Sequence, residues 1–172
     1  MICMVYPWGV PVQEINPRRS RAATGDPAEL LTDVVPRLYR VLRAALDEDP
    51  ALPSLEQLRV MSRIGEGLQH ASALASARQM RISAITPIIE ALVRRNWITR
   101  SEEPADRRRI RLELTPAGRS ALAAGRSRTG GRLREVLRHG DTGEESIDIA
   151  AVAAWLEQAV SRYDDERLGR TR

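Results

Sequence analysis

Between Gln69 and Thr115 the hydrophobic period of this chain changes within one short stretch, and few folds accommodate the change. From Arg81 the sequence reads RISAITPIIEALVRRNWITRSEEPADRRRIRLELT. Ile82, Ile85, Ile88, Ile89, Leu92 and Val93 recur at helical spacing. Asn96 stands where that helix must stop, because Asn tolerates the left-handed conformation that ends many helices. Trp97 and Ile98 open a β-type segment, and a charged loop carrying Asp106, Arg107, Arg108 and Arg109 follows. Ile110, Leu112 and Leu114 then alternate with Arg109, Arg111 and Glu113, so one face of a returning strand points inward. Upstream, a short Ala-rich helix over roughly residues 71–78, anchored by Leu74, leads into the Gln79–Met80–Arg81 turn. Two short helices joined by a tight turn make a helix-turn-helix. Followed by strand, basic tip and strand, they give a winged helix, in which a helix enters the DNA major groove and a β-ribbon reaches beside it.

The flanks are helical. Asp26–Pro27 supplies an N-cap and a first-position proline. Leu30, Leu31, Val34, Val35, Leu38, Val41, Leu42, Ala45 and Leu46 follow as an apolar stripe. Pro36 predicts a kink in that helix, or a start delayed to about Asp33. Ser54 and Gln57 form a capping box for a helix carrying Leu55, Leu58, Met61 and Ile64, which Gly65 and Gly67 end. Beyond Thr115–Pro116 lies a long helix interrupted by Gly125 and Gly130–Gly131. A capping box at Thr142–Glu145 opens the last helix, which carries Ile149, Val152, Trp155, Leu156, Val160 and Tyr163. The expected fold class is mainly α with a small β-hairpin, a winged helix-turn-helix core flanked by N- and C-terminal dimerisation helices. The divisions are a disordered tail over 1–25, an N-terminal dimerisation helix over 26–50, the DNA-binding domain over 51–115 and C-terminal dimerisation helices over 116–172. Long apolar stripes on terminal helices exceed what a small core can cover, which favours a two-fold dimer over packing within one chain.

Composition matters mainly through its distribution. All 27 basic residues are Arg, and the net charge is only +4. Between Arg94 and Arg111, seven Arg face Glu102, Glu103 and Asp106, an excess equal to that of the whole chain. A single basic segment on a balanced protein is the footprint of a local phosphate contact, although a solvated loop gives the same signal. One cysteine, Cys3, excludes an internal disulfide framework. His70 and His139 have no acidic partners at ligand spacing, so no metal, cofactor or His-based catalysis is expected. No apolar run approaches the ~20 residues of a membrane span, and the expected location is cytoplasmic.

These pieces carry a resemblance. Residues 88–98, IIEALVRRNWI, look like the end of the recognition helix and the first wing strand of the MarR family of dimeric winged-helix transcriptional regulators. Asp106-Arg-Arg108 fits the family's wing motif, and Leu112 to Arg119 is similar to its strand-to-helix junction. The resemblance spans about Asp26 to Tyr163. It implies a homodimer on double-stranded DNA, usually a repressor, often released by a small-molecule effector bound between the dimer interface and the DNA-binding lobe. It further implies that Arg108 enters the minor groove while Asp106 holds the wing arginine by an ion pair. Oxidation-sensing members carry a reactive Cys near the first helix; Cys3 lies well before it, so no sensor role follows.

On the physical reading, Arg81, Ser83, Ala84 and Thr86 occupy the part of the recognition helix that meets base edges. Arg81 suits guanine, and Ser83 and Thr86 suit a base or phosphate, unless Ser83 is only an N-cap and Thr86 only precedes Pro87. Pro87 suggests a bend, or a helix that starts late at Thr86–Pro87. Arg107 and Arg109 would neutralise phosphates. Arg94 and Arg95 favour their helix C-terminus and touch DNA backbone at most. Met61, Trp155 and Tyr163 read as core or interface. A DNA-binding regulator is therefore the leading function and a winged-helix module that contacts protein the alternative. An enzyme is disfavoured for want of a nucleophile–base pair, phosphate loop or metal cluster.

Overall fold

The computed structural model describes residues 26–77, 81–103, 106–140 and 148–167, with backbone only for 106–108. The expectations for the tail, including Cys3, lie outside the described residues. Element order is α1 (Pro27–Asp47), α2 (Leu55–Gly65), α3 (Ala71–Ala77), α4 (Ile82–Arg94), β1 (Ile98–Glu103), β2 (Asp106–Leu114), α5 (Pro116–Gly140) and α6 (Ile149–Arg167).

Caps set most of these boundaries. The Asp26 carboxylate accepts from the Ala28 N–H at 3.0 Å, so α1 begins at Pro27 and the delayed start near Asp33 does not occur. The helix continues through Pro36, whose ring leaves the Thr32 carbonyl without its helical donor. Both residues are exposed, so water can satisfy that group. Ser54 and Gln57 close the expected box on α2, at 3.3 Å and 3.0 Å. Two helices end in the same double-bond motif. At the end of α2, Gly67 has φ 100° while its N–H and that of Leu68 reach back to Ile64 and Arg63. At the end of α4, Asn96 takes φ 54°, and the Asn96 and Trp97 N–H groups bond Val93 and Leu92. Trp97 and Leu92 are both buried in the same core cluster, at the two positions whose apolar contact commonly accompanies this motif.

The core lies under the winged helix. Leu46 of α1 joins Leu58, Met61 and Ile64 of α2, Leu74 of α3, and Ile85, Ile89 and Leu92 of α4. Ile98 and Leu112 of the ribbon and Leu122 of α5 complete the cluster. The ribbon is antiparallel, pairing Ile98 with Leu114 and Arg100 with Leu112, with an irregularity between Glu102 and Glu103. Its base is pinned from the other edge, where the Leu112 N–H donates to the Gln69 carbonyl at 2.7 Å.

Thr115 ties the ribbon to α5. Its hydroxyl donates to Asn96 O at 2.7 Å and accepts from the Gly118 N–H at 2.9 Å, which caps the helix as expected. The expected interruptions of α5 do not occur; it is continuous from Pro116 to Gly140. Gly125 serves packing instead, because a Cβ there would fall 2.6 Å from Leu58 Cδ1 and 3.0 Å from Pro53 Cγ. The capping box read at Thr142–Glu145 lies outside the described residues. Asp148 caps α6, accepting from Ala151 N–H at 3.0 Å.

Two elements are poorly covered. No residue of α6 is buried, and Trp155 and Tyr163 are 66% and 58% exposed. The first half of α1 is exposed as well, including Leu30, Leu31, Val34 and Val35. Its C-terminal end is well held: Arg128 of α5 donates to Ala45 O and pairs with Glu48, and Arg132 pairs with Glu48 at 2.8 Å.

Candidate nucleic-acid interface

Helix α4 is amphipathic in an unequal way. Ile85, Ile89 and Leu92 are buried, while Ile88 and Val93 are half-buried. The opposite face presents Ser83, Pro87, Glu90 and Arg94 to solvent. Ile82, read from the sequence as part of the buried stripe, is 55% exposed at the first position of the helix. Arg81 is the N-cap residue, with φ −72° and ψ 147°, and gives no side-chain cap bond. Ser83 is therefore not the N-cap. The helix also does not start late: it begins at Ile82 and runs through Pro87.

The polar groups of the first turns are fewer than the sequence suggests. The Thr86 hydroxyl donates to the Ile82 carbonyl at 2.9 Å, so its proton is committed within the helix. Arg81, Ser83 and Ala84 are exposed, as a groove-facing role requires.

The wing differs from the expected charged loop. β2 starts at Asp106, whose backbone pairs opposite Glu103, so Asp106, Arg107, Arg108 and Arg109 all lie in the strand. Arg109 is exposed; the side chains of 106–108, and with them the Asp106 ion pair, lie outside the described residues. The inward face expected for Ile110, Leu112 and Leu114 holds only at the base. Leu112 is buried and Leu114 half-buried, but Ile110 is 46% exposed because the ribbon projects past the helical core.

Two contacts had no local signal in the sequence. Arg95 donates to Leu52 O at 3.1 Å and to Pro50 O at 2.7 Å, and its guanidinium lies 3.7 Å from the Trp97 ring centroid. It therefore braces the α1–α2 loop and is withdrawn from a phosphate role. His70 has its Nε2 3.4 Å from a Glu103 carboxylate oxygen, linking the start of α3 to the wing. Both partners lie far away in sequence. Farther from the interface, the Tyr39 hydroxyl donates to Glu56 at 2.7 Å. That bond, with burial and the Glu56 charge, raises the phenol pKa above its usual 10.0.

The model of the MarR family matches residues 54–110, the span from α2 into the wing. The uncharacterized HTH-type transcriptional regulator YpoP of Bacillus subtilis (strain 168) is 31% identical over 97 residues, covering 56% of this chain and 67% of that protein. The chain belongs to the MarR family of winged-helix transcriptional regulators. Solved structures agree on the fold. CouR from Rhodococcus jostii RHA1, bound to p-coumaroyl-CoA, superposes with TM-score 0.63 at 20% identity, covering 84% of this chain and 96% of that one. A cysteine-to-serine mutant of Escherichia coli MarR complexed with operator DNA gives TM-score 0.59 at 22% identity, covering 77% and 91%. Among the described residues no helix is long and apolar enough to cross a membrane, and no three His, Cys, Asp or Glu side chains gather to hold a metal ion. This MarR-family chain thus joins a helix with an exposed face, α4, to an arginine-bearing ribbon.

Proposed function

We propose that this protein is a DNA-binding transcriptional repressor that acts as a homodimer on a pseudo-palindromic operator. The observation that carries the reading is the outward face of α4 from Arg81 to Pro87, set beside a ribbon with three successive arginines, Arg107, Arg108 and Arg109. In this docking the N-terminal turns of α4 enter the major groove while the ribbon follows the neighbouring backbone and minor groove. Arg108 reaches into the narrow groove, where negative potential is enhanced, and Arg107 and Arg109 neutralise phosphates.

The exposed stripe on α1 and the uncovered α6 supply the dimer contact, with α1 and the helices after residue 116 as the dimerisation part and 51–115 as the DNA-binding part. Half-sites then lie about one helical turn of DNA apart, or a multiple of it. Release by a small molecule is part of the proposal, supported by the ligand named for CouR.

Binding of the full chain to its selected duplex at two salt concentrations tests the function. Arg108→Ala should weaken it by roughly 1–3 kcal/mol and flatten the salt dependence by about one ion. A winged-helix module that contacts protein predicts no salt-dependent DNA affinity and no effect of Arg108→Ala.

A further inference from the structure

The first turns of α4 lack the side chains that usually read bases. Between Ile82 and Glu90 there is no Arg, Lys, Asn or Gln. Two-pronged recognition of guanine or adenine by those residue types therefore cannot come from within this segment. The hydroxyl proton of Thr86 is already given to the Ile82 carbonyl. Pro87 has no N–H to offer. Apart from the exposed Ser83 hydroxyl, the surface these turns leave facing outward is hydrocarbon: the Ile82 side chain, the Ala84 methyl group and the Pro87 ring.

This hydrocarbon sits in a basic surround. Arg81 immediately precedes it, Arg94 follows on the same helix, and Arg109 is exposed on the ribbon. The flanks therefore suit phosphate, while the centre suits an apolar group on a polyanion. The major groove offers one such group, the C5-methyl of thymine. Glu90 is also exposed on this helix, and its carboxylate opposes close approach to phosphate at that position.

We propose that α4 selects thymine by its methyl group, through Ile82, Ala84 and Pro87. The proposal rests on the DNA-binding reading above and specifies what that site reads. Each methyl buried against these side chains contributes roughly fourfold in affinity, the equivalent of one CH₂ removed from water.

The test acts on the DNA, so the protein fold is untouched. Duplexes are selected from a random pool with the full chain. Every thymine of the selected half-site is then replaced singly by deoxyuridine, which keeps base pairing and removes only the methyl, and affinity is read by fluorescence anisotropy. The expected result is a loss of about fourfold at one to three positions per half-site. Those losses should vanish in Ile82→Ala or Pro87→Ala at the matching position, in proteins with unchanged circular dichroism. Selective binding that tolerates deoxyuridine everywhere overturns methyl reading and leaves the DNA-binding function standing. Failure to select any duplex overturns both.

Discussion

Gly118 is the position where the structure makes its firmest demand. A Cβ built there would lie 1.9 Å from the Trp97 carbonyl oxygen and 2.8 Å from its carbon. Both atoms are backbone, so no side chain can swing away. That peptide is also held in place: the Thr115 N–H donates to Trp97 O at 3.0 Å, and the Gly118 N–H donates to the Thr115 hydroxyl at 2.9 Å. Gly118→Ala must therefore push α5 off the ribbon base and strain these bonds. Overpacking of this kind costs about 1–3 kcal/mol, and two weakened hydrogen bonds add about 1 kcal/mol each. Alanine's better helix propensity returns about 1 kcal/mol. The net expectation is a loss of roughly 2–4 kcal/mol, seen as a Tm lower by about 5–15 °C in a chain of this size. Gly131, in the same helix, meets nothing within 4 Å, so Gly131→Ala should gain up to about 1 kcal/mol. Urea denaturation followed by circular dichroism, at one fixed protein concentration because assembly adds stability, compares the two. If Gly118→Ala matches the parent within about 0.5 kcal/mol, or if the two alanines behave alike, the close-approach argument is wrong.

Two further outcomes follow from single contacts. The raised Tyr39 phenol pKa, due first to its bond with Glu56, contributes stability that is fully present below the unfolded value near 10.0 and is lost as pH rises through the folded one. The urea midpoint should fall on the alkaline side of pH 10.0, and Tyr39→Phe should flatten that fall. Arg95→Ala should cost about 1–2 kcal/mol through two carbonyl bonds and the Trp97 stack, discounted for exposure, measured from the urea midpoint. Arg95→Lys should recover little of this, because an ammonium reproduces neither the planar stack nor the fork.

Much of this fold was legible because its signals are local. The Ser54–Gln57 box, the Asp26–Pro27 and Thr115–Pro116 starts, and Asn96 as a left-handed stop each depend on a few neighbouring residues. The family resemblance was equally local, resting on the junctions on either side of the wing. The misreadings share a different cause. Gly125 looked like a helix breaker because the sequence does not reveal that Leu58 and Pro53 press against it. Arg95 does end α4, but its bonds to Pro50 and Leu52 are not legible because those partners lie far back in the chain. The first residues of β2 are charged, and charge at a projecting ribbon reads as loop, so the sequence alone predicts a later strand start.

The remaining departures from local rules lie on the surfaces either side of the core. Ile82 breaks the amphipathic pattern of α4 by facing outward, Pro87 removes a donor from the middle of the same helix, and α6 keeps its apolar residues in solvent. Each rule broken describes a chain that must satisfy itself alone, and departures from such rules concentrate at functional sites. The first two lie on the face assigned to the DNA groove, and the third lies on the helix assigned to a second copy. The winged core between them obeys the rules closely, with Leu58, Met61, Ile64, Leu74, Ile85, Ile89, Leu92, Ile98, Leu112 and Leu122 buried in one cluster. A stable centre with rule-breaking surfaces on both sides is what a protein needs if it is to hold a partner at one face and DNA at the other. It also explains why the core could be derived from sequence while the contacts at its edges needed coordinates.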